Sequence, residues 1–194
     1  MTTLFVSDLH LSILRPEKLA LFMRLMTGPA IKADAFYILG DLFDDFWIGC
    51  DDEYYPNQEV ISILREYSAN SSTKLFIMRG NRDFHLNQEF ADATSCTLIE
   101  DPTEIILDDQ KVLLLHGDTL CTDDVKYQKW RRFITNPFVK WLYSVMSLKL
   151  RTHISRKVRG YSVEAVQKKA PEIIDVTKKS VLDTLKKFNV NTLI

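Results

Sequence analysis

The chain has few cysteines, and their spacing argues against several classes of protein. Only Cys50, Cys96 and Cys121 occur in 194 residues, and no two of them form a CxxC pair. An odd number of widely spaced thiols argues against a disulfide framework and is typical of a reducing compartment. Any metal site is therefore expected to use oxygen and nitrogen ligands rather than thiolates.

Long apolar runs and targeting segments are also missing. The longest apolar helical stretch, residues 138–148, contains Lys140 and is too short to span a bilayer. No signal peptide precedes the first predicted strand, which begins almost at Met1. There is no repeat, low-complexity run or flexible linker. These features predict a cytoplasmic protein, with attachment to a membrane surface left open.

Net charge is almost absent, but the charges are distributed unevenly. The formal net charge is −1. Residues 125–169 hold 12 of the 25 Lys and Arg residues but only one of the 26 acidic residues, Glu164. An acidic body that carries a basic segment indicates an anionic partner.

Short apolar runs alternate with amphipathic patterns in the first hundred residues, which predicts an α/β fold. Helices are expected from Pro16 onward, over residues 57–67 and over residues 87–93. The predicted strands are residues 4–6, 35–39, 75–78, 104–107 and 111–115. The last two are joined by Asp108, Asp109 and Gln110, which is typical of a hairpin.

The second half of the chain has a different pattern, almost continuous helix over residues 124–188. A final strand is expected near Val190. The helical stretch is expected to be interrupted at Pro137, Gly160 and Pro171. We interpret the helical stretch as an insertion, or lid, within a single domain of residues 1–194.

Four short polar motifs each follow a predicted strand. In an open α/β sheet, ligands gather outside the carboxyl ends of the strands, so these motifs are expected to converge. The combination predicts a two-metal hydrolytic site. The motifs are Asp8-Leu9-His10, Gly40-Asp41-Leu42-Phe43-Asp44, Gly80-Asn81-Arg82-Asp83 and His116-Gly117-Asp118.

The residue types in these motifs suit two metal ions. Asp8 and His10 are two positions apart, so at an extended strand end both side chains are expected to point the same way. Asp41 has two oxygens that could bridge two cations about 3.5–4 Å apart. Asn81 and His116 complete a second set. Mixed oxygen and imidazole ligands suit manganese, iron or zinc.

Each motif taken alone has an ordinary explanation. Gly40-Asp41 and Gly80-Asn81 are common turn pairs. His10 and His116 could be hydrogen-bonded histidines of a core or surface. The ordered combination at four strand ends favours the metal site, a hypothesis that needs its structural context.

With this motif order the chain resembles the calcineurin-like metallophosphoesterases, whose signature is DxH, GDxxD, GNH or GNR, a strand-end His and then GHxH. The first four elements are present over residues 8–118. The resemblance implies a layered αββα-type sandwich and two divalent cations, for which manganese is our first choice. It implies that Asp8, His10 and Asp41 bind one cation and that Asp41, Asn81 and His116 bind the other.

The fifth element, GHxH, is not found before Ile194. In the family its histidines supply one ligand to each metal. We therefore expect the chain to be C-terminally incomplete, with weaker metal binding.

A branch of the family that acts in lipid A biosynthesis of Gram-negative bacteria matches more closely. The matching runs are residues 3–11, residues 37–43 and the string HGDTLCTDD at residues 116–124. Arg82, which stands where most relatives have histidine, also matches. This resemblance implies hydrolysis of the pyrophosphate of UDP-2,3-diacylglucosamine to UMP and the lipid monophosphate. Asp41, Asn81 and Arg82 are then the catalytic candidates.

Arg82 has a planar charged fork that suits phosphate oxygens, although a surface salt bridge with Asp83 is its ordinary alternative. Asn81 is a further expected substrate contact. The family commonly has Asn where this chain has Val166, so a polar contact is expected to be lost there. The resemblance implies that the glucosamine phosphate is held by Asp124, Tyr127, Arg159, Ser162 and Lys169.

Residues 130–146 combine many aromatic side chains with Arg131, Arg132 and Lys140. An ordinary amphipathic helix would have this pattern too. We interpret the segment as a chamber for acyl chains that also binds the anionic inner-membrane surface, so the enzyme is expected to be peripheral there. No nucleic acid and no obligate protein partner is expected.

Two alternatives stay open. The first is a phosphodiesterase or nuclease that uses the same metals, with the basic helices on a nucleic-acid backbone. The second is an inactive, truncated relative that binds lipid or a partner but does not turn it over.

Overall fold

The structure is a computed structural model that describes residues 2–12, 15–44, 55–167 and 169–194. It also leaves out the side chains of residues 55–57, 163, 166, 171 and 172. The contact expected to be lost at Val166 therefore lies outside the described side chains. Two compact units are present, Met1–Glu100 and Asp101–Ile194.

The first unit contains a parallel four-stranded sheet in the order β1-β2-β3-β4. β2 is buried along its whole length, as is typical of a parallel strand covered on both faces. Val6 pairs with Ile38 and Leu39 with Met78, so β1, β2 and β3 end at the same edge. The strands are β1 (Thr3–Val6), β2 (Ala35–Leu39), β3 (Lys74–Met78) and β4 (Thr97–Ile99).

Three helices, α1 (Pro16–Thr27), α2 (Tyr55–Asn70) and α3 (Gln88–Thr94), connect these strands. α1 begins with proline in its first turn, where no backbone donor is needed. α3 is capped by Asn87, whose side chain accepts a 3.1 Å hydrogen bond from the Phe90 backbone. The core between sheet and helices includes Phe22, Met26, Phe36, Ile38, Ile61, Leu64, Ile77 and Phe90.

An aromatic ladder crosses three strands of the sheet. The Tyr37 ring stacks on Phe5 with centroids 5.1 Å apart and on Phe76 with centroids 4.6 Å apart. The three residues are paired in register on β1, β2 and β3. Burial raises the pKa of the Tyr37 hydroxyl. The ladder binds β1 to the sheet through side chains as well as through the backbone.

The second unit contains a three-stranded sheet of β5 (Thr103–Leu107), β6 (Gln110–Leu114) and β7 (Thr192–Leu193). β5 and β6 form the predicted antiparallel hairpin. Asp108 and Asp109 connect them with φ of 46° and 64°, as a type I′ turn requires. β7 pairs with β6 in parallel, so the residues between them leave one sheet and return to it.

The stretch between β6 and β7 is helical, as predicted. Pro137 and Pro171 occupy the first positions of α5 and α7. Gly160 was wrongly predicted as a break, because α6 continues through it; one glycine costs a helix only about 1 kcal/mol. The helices are α4 (Val125–Ile134), α5 (Pro137–Ser144), α6 (Leu148–Gln167), α7 (Pro171–Ile174) and α8 (Lys178–Phe188).

The predicted α/β class is confirmed by these strands and helices. β4 was missed, because three residues are too few for an alternating pattern to be recognised. None of the described helices is both long and apolar enough to cross a bilayer. The assignment of residues 124–188 as a lid within one domain stays a prediction.

Candidate metal centre

The loops after β1 and β2 run side by side at the edge where their strands end. The Asp8 backbone N–H donates to the Gly40 carbonyl at 3.2 Å, and that of His10 donates to the Asp41 carbonyl at 2.8 Å. A further bond joins Leu11 to Leu42 at 2.9 Å. The predicted convergence of the first two motifs is present in the structure.

Asp8, His10 and Asp41 form a cluster whose ligand atoms all lie within 4.8 Å of one another. His10 Nε2 lies 3.8 Å from Asp8 Oδ1 and 3.6 Å from Asp41 Oδ2. These distances are too long for hydrogen bonds. Ligand atoms that share one cation at about 2.1 Å lie about 3.4 Å apart in a tetrahedral site, so these atoms would have to move closer together to bind a metal ion. Two carboxylates and one imidazole therefore fit a divalent metal ion.

Left-handed backbone conformations, rather than an extended strand, bring these ligands together. The φ values of Asp8, His10 and Asp41 are 55°, 49° and 53°, and that of Gly40 is 89°. The expectation that Asp8 and His10 share a direction through strand alternation was wrong, because β1 ends at Val6. Asp and His tolerate this conformation better than most residues, and such strain is concentrated at functional sites.

The loop after β3 packs directly against Asp41. A Cβ atom added to Gly80 would overlap the backbone nitrogen and the carboxylate of Asp41. The Arg82 backbone N–H donates to Asp41 Oδ1 at 2.8 Å. Asn81 lies between these two anchored residues in the sequence. Glycine at position 80 thus permits the close approach of the two loops.

Asp83 is fully buried and connects the same two loops. One of its carboxylate oxygens accepts a 2.7 Å hydrogen bond from the Gly80 backbone. The other accepts bonds from the backbones of Leu42 at 2.8 Å and Phe43 at 3.3 Å. The ordinary alternative for Arg82 placed Asp83 at the surface, whereas Asp83 has no exposed surface.

The surroundings of His10 favour a neutral imidazole. Its pKa is lowered first by burial and also by the positive charge of Arg82, although the negative charges of Asp44 and Asp8 oppose this shift. His10 Nδ1 is buried without a hydrogen bond and lies 3.9 Å from Asp44 Oδ1. Neutral imidazole is the form that binds metal ions. The positive charge of Arg82 therefore acts on His10, whereas its role in phosphate binding stays a prediction.

In the second unit, His116 lies two residues after the end of β6, near the strand end where it was predicted. Its backbone N–H donates to Asp101 Oδ1 at 3.3 Å. The segment after it turns through Gly117, with φ of 95°, into a short 3₁₀ turn at Asp118–Leu120. The membership of His116 in a metal site with Asp41 and Asn81 stays a prediction.

Three predicted substrate contacts lie together at the start of α4. Asp124 caps the helix by accepting a 3.1 Å bond from the Tyr127 backbone, and it forms an ion pair with Lys169. The Tyr127 hydroxyl donates to Asp118. The other two residues implied to hold the glucosamine phosphate are Arg159 and Ser162, which are half-buried on α6. Their roles in substrate binding stay predictions.

The family of the chain follows from a match to residues 1–168, described as Calcineurin-like phosphoesterase. The chain belongs to this family.

Curated relatives cover the whole chain. The UDP-2,3-diacylglucosamine hydrolase of Pectobacterium carotovorum subsp. carotovorum strain PC1 is 44% identical over 196 residues, which span 100% of this chain and 80% of the relative. That of Pseudomonas putida strain F1 is 43% identical over 191 residues, 98% of this chain and 79% of the relative. The solved phosphoesterase Yfce from E. coli shares 25% identity over 61% of this chain and 59% of its own, with a TM-score of 0.39.

Membership of the calcineurin-like phosphoesterases makes metal-dependent hydrolysis the chemistry of this chain. Sequence reasoning missed the supporting carboxylates Asp44, Asp83, Asp101 and Asp118. Three of them stand inside the quoted motifs, so their positions were a usable signal. No local sequence signal marked Asp101 and its partner Arg131, because they are 30 residues apart in sequence.

Proposed function

We propose that this chain hydrolyses the pyrophosphate bond of UDP-2,3-diacylglucosamine and releases UMP and 2,3-diacylglucosamine 1-phosphate. The observation that carries the proposal is the Asp8, His10 and Asp41 cluster with Arg82 beside it. Relatives with this named activity are 44% and 43% identical over nearly the whole chain. The reaction belongs to lipid A biosynthesis.

In this proposal Asp8, His10 and Asp41 hold one divalent cation, and Asp41, Asn81 and His116 hold a second. Carboxylate, amide and imidazole donors without thiolate suit manganese, iron or zinc, and manganese is our first choice among them. When bound, such ions supply a nucleophile from water and neutralise charge on phosphoryl oxygens. The chain's own contribution is to keep His10 neutral and to hold Asp41 in place through Gly80 and Arg82.

Arg82 is proposed to bind the oxygens of the reacting pyrophosphate. Its backbone is fixed by the bond to Asp41 Oδ1. A guanidinium is permanently charged and donates in a fork that matches phosphate oxygens. Its charge then neutralises the charge that develops as the pyrophosphate bond breaks.

The glucosamine phosphate is proposed to contact Asp124, Tyr127, Arg159, Ser162 and Lys169. The ion pair between Asp124 and Lys169 supports this, because it holds a flexible cation in one place before substrate arrives. Tyr127 is likewise held by its bond to Asp118.

The exposed aromatic face of α4 and α5 is proposed to rest on the cytoplasmic face of the inner membrane. Phe133, Phe138 and Trp141 are 58%, 67% and 57% exposed. Trp130 and Phe133 are 5.9 Å apart between ring centroids, as part of one apolar surface. Exposed basic residues of α4, which an anionic lipid surface attracts, are Lys126, Lys129 and Arg132.

The first test is manganese-dependent release of UMP from UDP-2,3-diacylglucosamine. The matched pair is Asp41→Ala and Asp92→Ala, where Asp92 is an exposed carboxylate of α3. Turnover by wild type and D92A but not by D41A supports the proposal. Equal turnover by D41A would show that the cluster does not carry the reaction.

The same preparation separates the alternatives. Manganese-dependent cleavage of DNA or RNA, with affinity that falls steeply as salt rises, would favour a nuclease. Binding of the lipid substrate without turnover would favour a lipid-binding relative.

Membrane attachment is tested by sedimentation with phosphatidylglycerol-containing and purely zwitterionic vesicles. Phe138→Ser and Trp141→Ser should reduce binding to the anionic vesicles. Leu182→Ser is the matched control, because Leu182 is 54% exposed on α8. Equal binding by all variants would contradict this face as the docking surface.

A further inference from the structure

The inner face of α4 binds the segment that follows His116. Gln128 donates through Nε2 to the carbonyls of Asp118, at 2.8 Å, and Cys121, at 3.1 Å. The Tyr127 hydroxyl donates to the Asp118 carboxylate. The backbone after His116 is therefore attached to the Gln128 side chain at two carbonyls, and Gly117 supplies the positive φ at which this segment turns.

Arg131 connects two buried carboxylates in this region. Its Nε donates to Asp118 Oδ2 at 2.7 Å, and its Nη2 donates to Asp101 Oδ2 at 3.1 Å. The side chains of Asp101 and Asp118 are 8% and 7% exposed. The pKa of Asp101 is raised by burial and by the charge of Asp118, with Arg131 opposing this shift. Arg131 compensates two carboxylates that would otherwise repel each other.

The same carboxylates support the chain on both sides of Gly117. Asp101 uses its second oxygen, Oδ1, to accept the His116 backbone N–H. Asp118 lies two residues after His116. Arg131 therefore holds residues 116 and 118 at once, through one rigid guanidinium.

We propose that Arg131 is a positioning residue for His116, acting through Asp101 and Asp118. The inference rests on the proposed role of His116 as a metal ligand. Arg131 touches neither metal nor substrate in this scheme. It fixes the position of the His116 imidazole. Removing such support in metal sites typically weakens the affinity for the metal about 10- to 100-fold.

The test uses the full chain, with calorimetric manganese titration as the main readout. Arg131→Met is compared with Arg24→Met, because Arg24 is an exposed arginine of α1. We expect R131M to weaken manganese binding about 10- to 100-fold and to lower kcat more than it changes KM. R24M should match wild type in manganese affinity, kcat and KM. Arg131→Lys should lie between them, since a lysine reaches one carboxylate at a time.

A double variant separates positioning from simple loss of stability. Asp101→Asn combined with R131M restores the local charge and keeps an amide oxygen for the His116 backbone. We expect its unfolding temperature to recover towards wild type while manganese affinity stays low. Recovery of affinity together with stability would overturn the proposal, as would wild-type affinity in R131M.

His116→Ala distinguishes failure of this inference from failure of the proposed function. Weaker manganese binding in H116A with unchanged binding in R131M overturns the role of Arg131 alone. Unchanged binding in H116A overturns the role of His116 and therefore the inference too. Absence of UMP release by the wild-type chain, together with weaker manganese binding in both variants, overturns the substrate and leaves the positioning role in place.

Discussion

The carboxylate of Asp83 accepts a 2.8 Å hydrogen bond from the backbone of Leu42, the residue that follows Asp41. Its other oxygen accepts from Gly80, at 2.7 Å, in the loop that carries Asn81 and Arg82. One buried charge thus joins two loops of the metal centre. The precision of the site depends on such residues as much as on the ligands.

Asp83→Ala should lower the free energy of unfolding by about 3 kcal/mol, because buried backbone donors lose a charged acceptor. Urea denaturation of the metal-free protein measures this. D92A, an exposed carboxylate removed from α3, is the control and should stay within about 0.5 kcal/mol of wild type. Equal stability of the two variants would contradict the bridging role of Asp83.

Gly80→Ala should destabilise the protein by about 1–3 kcal/mol and weaken manganese binding, because the new methyl group overlaps Asp41. Gly160→Ala is the matched substitution. Position 160 lies inside α6 with open space around it, so alanine should stabilise the helix by about 0.5–1 kcal/mol. Thermal unfolding and calorimetry measure the two effects. We expect the two substitutions to change the free energy of unfolding in opposite directions. A G80A variant as stable as wild type would show that the two loops are not tightly packed.

Manganese should stabilise the folded chain through the cluster. At a metal concentration 100 times the dissociation constant the gain is about 2.7 kcal/mol, and a chelator should remove it. His10→Ala should lose this gain, whereas His153→Ala, an exposed histidine of α6, should keep it. Unfolding temperatures with and without manganese measure the difference. Full stabilisation of H10A would place the metal elsewhere.

Tyr37 should make stability depend on alkaline pH. Burial raises its pKa in the folded state above the ordinary value of 10.0, so the folded protein keeps the proton longer than the unfolded chain. The stabilising contribution is complete below pH 10.0 and is lost as pH rises through the folded-state pKa. Tyr37→Phe should remove this decline. Urea titrations of both proteins from pH 9 to about pH 11 compare the slopes, and identical slopes would contradict the shift.

Sequence patterns predicted most of the elements because their signals are local. Apolar runs marked β1, β2, β3, β5 and β6, and prolines marked the starts of α1, α5 and α7. Gly160 was misleading because a single glycine is a weak signal, and a lone glycine is tolerated inside a long helix. The residues that support the site were harder to predict from sequence. Asp101 and Arg131 meet only after the chain between them has folded.

The order and chemistry of the ligands were determined by the sequence alone. Motifs placed just after strands and the choice of Asp and His over Cys are readable without coordinates, since strand ends and ligand types follow local rules. Tertiary structure decided how Asp8, His10 and Asp41 face one another. Their left-handed backbones persist because bonds between the β1 and β2 loops, and the close contact of Gly80, hold them there. Such contacts join residues distant in sequence, so no local pattern encodes them.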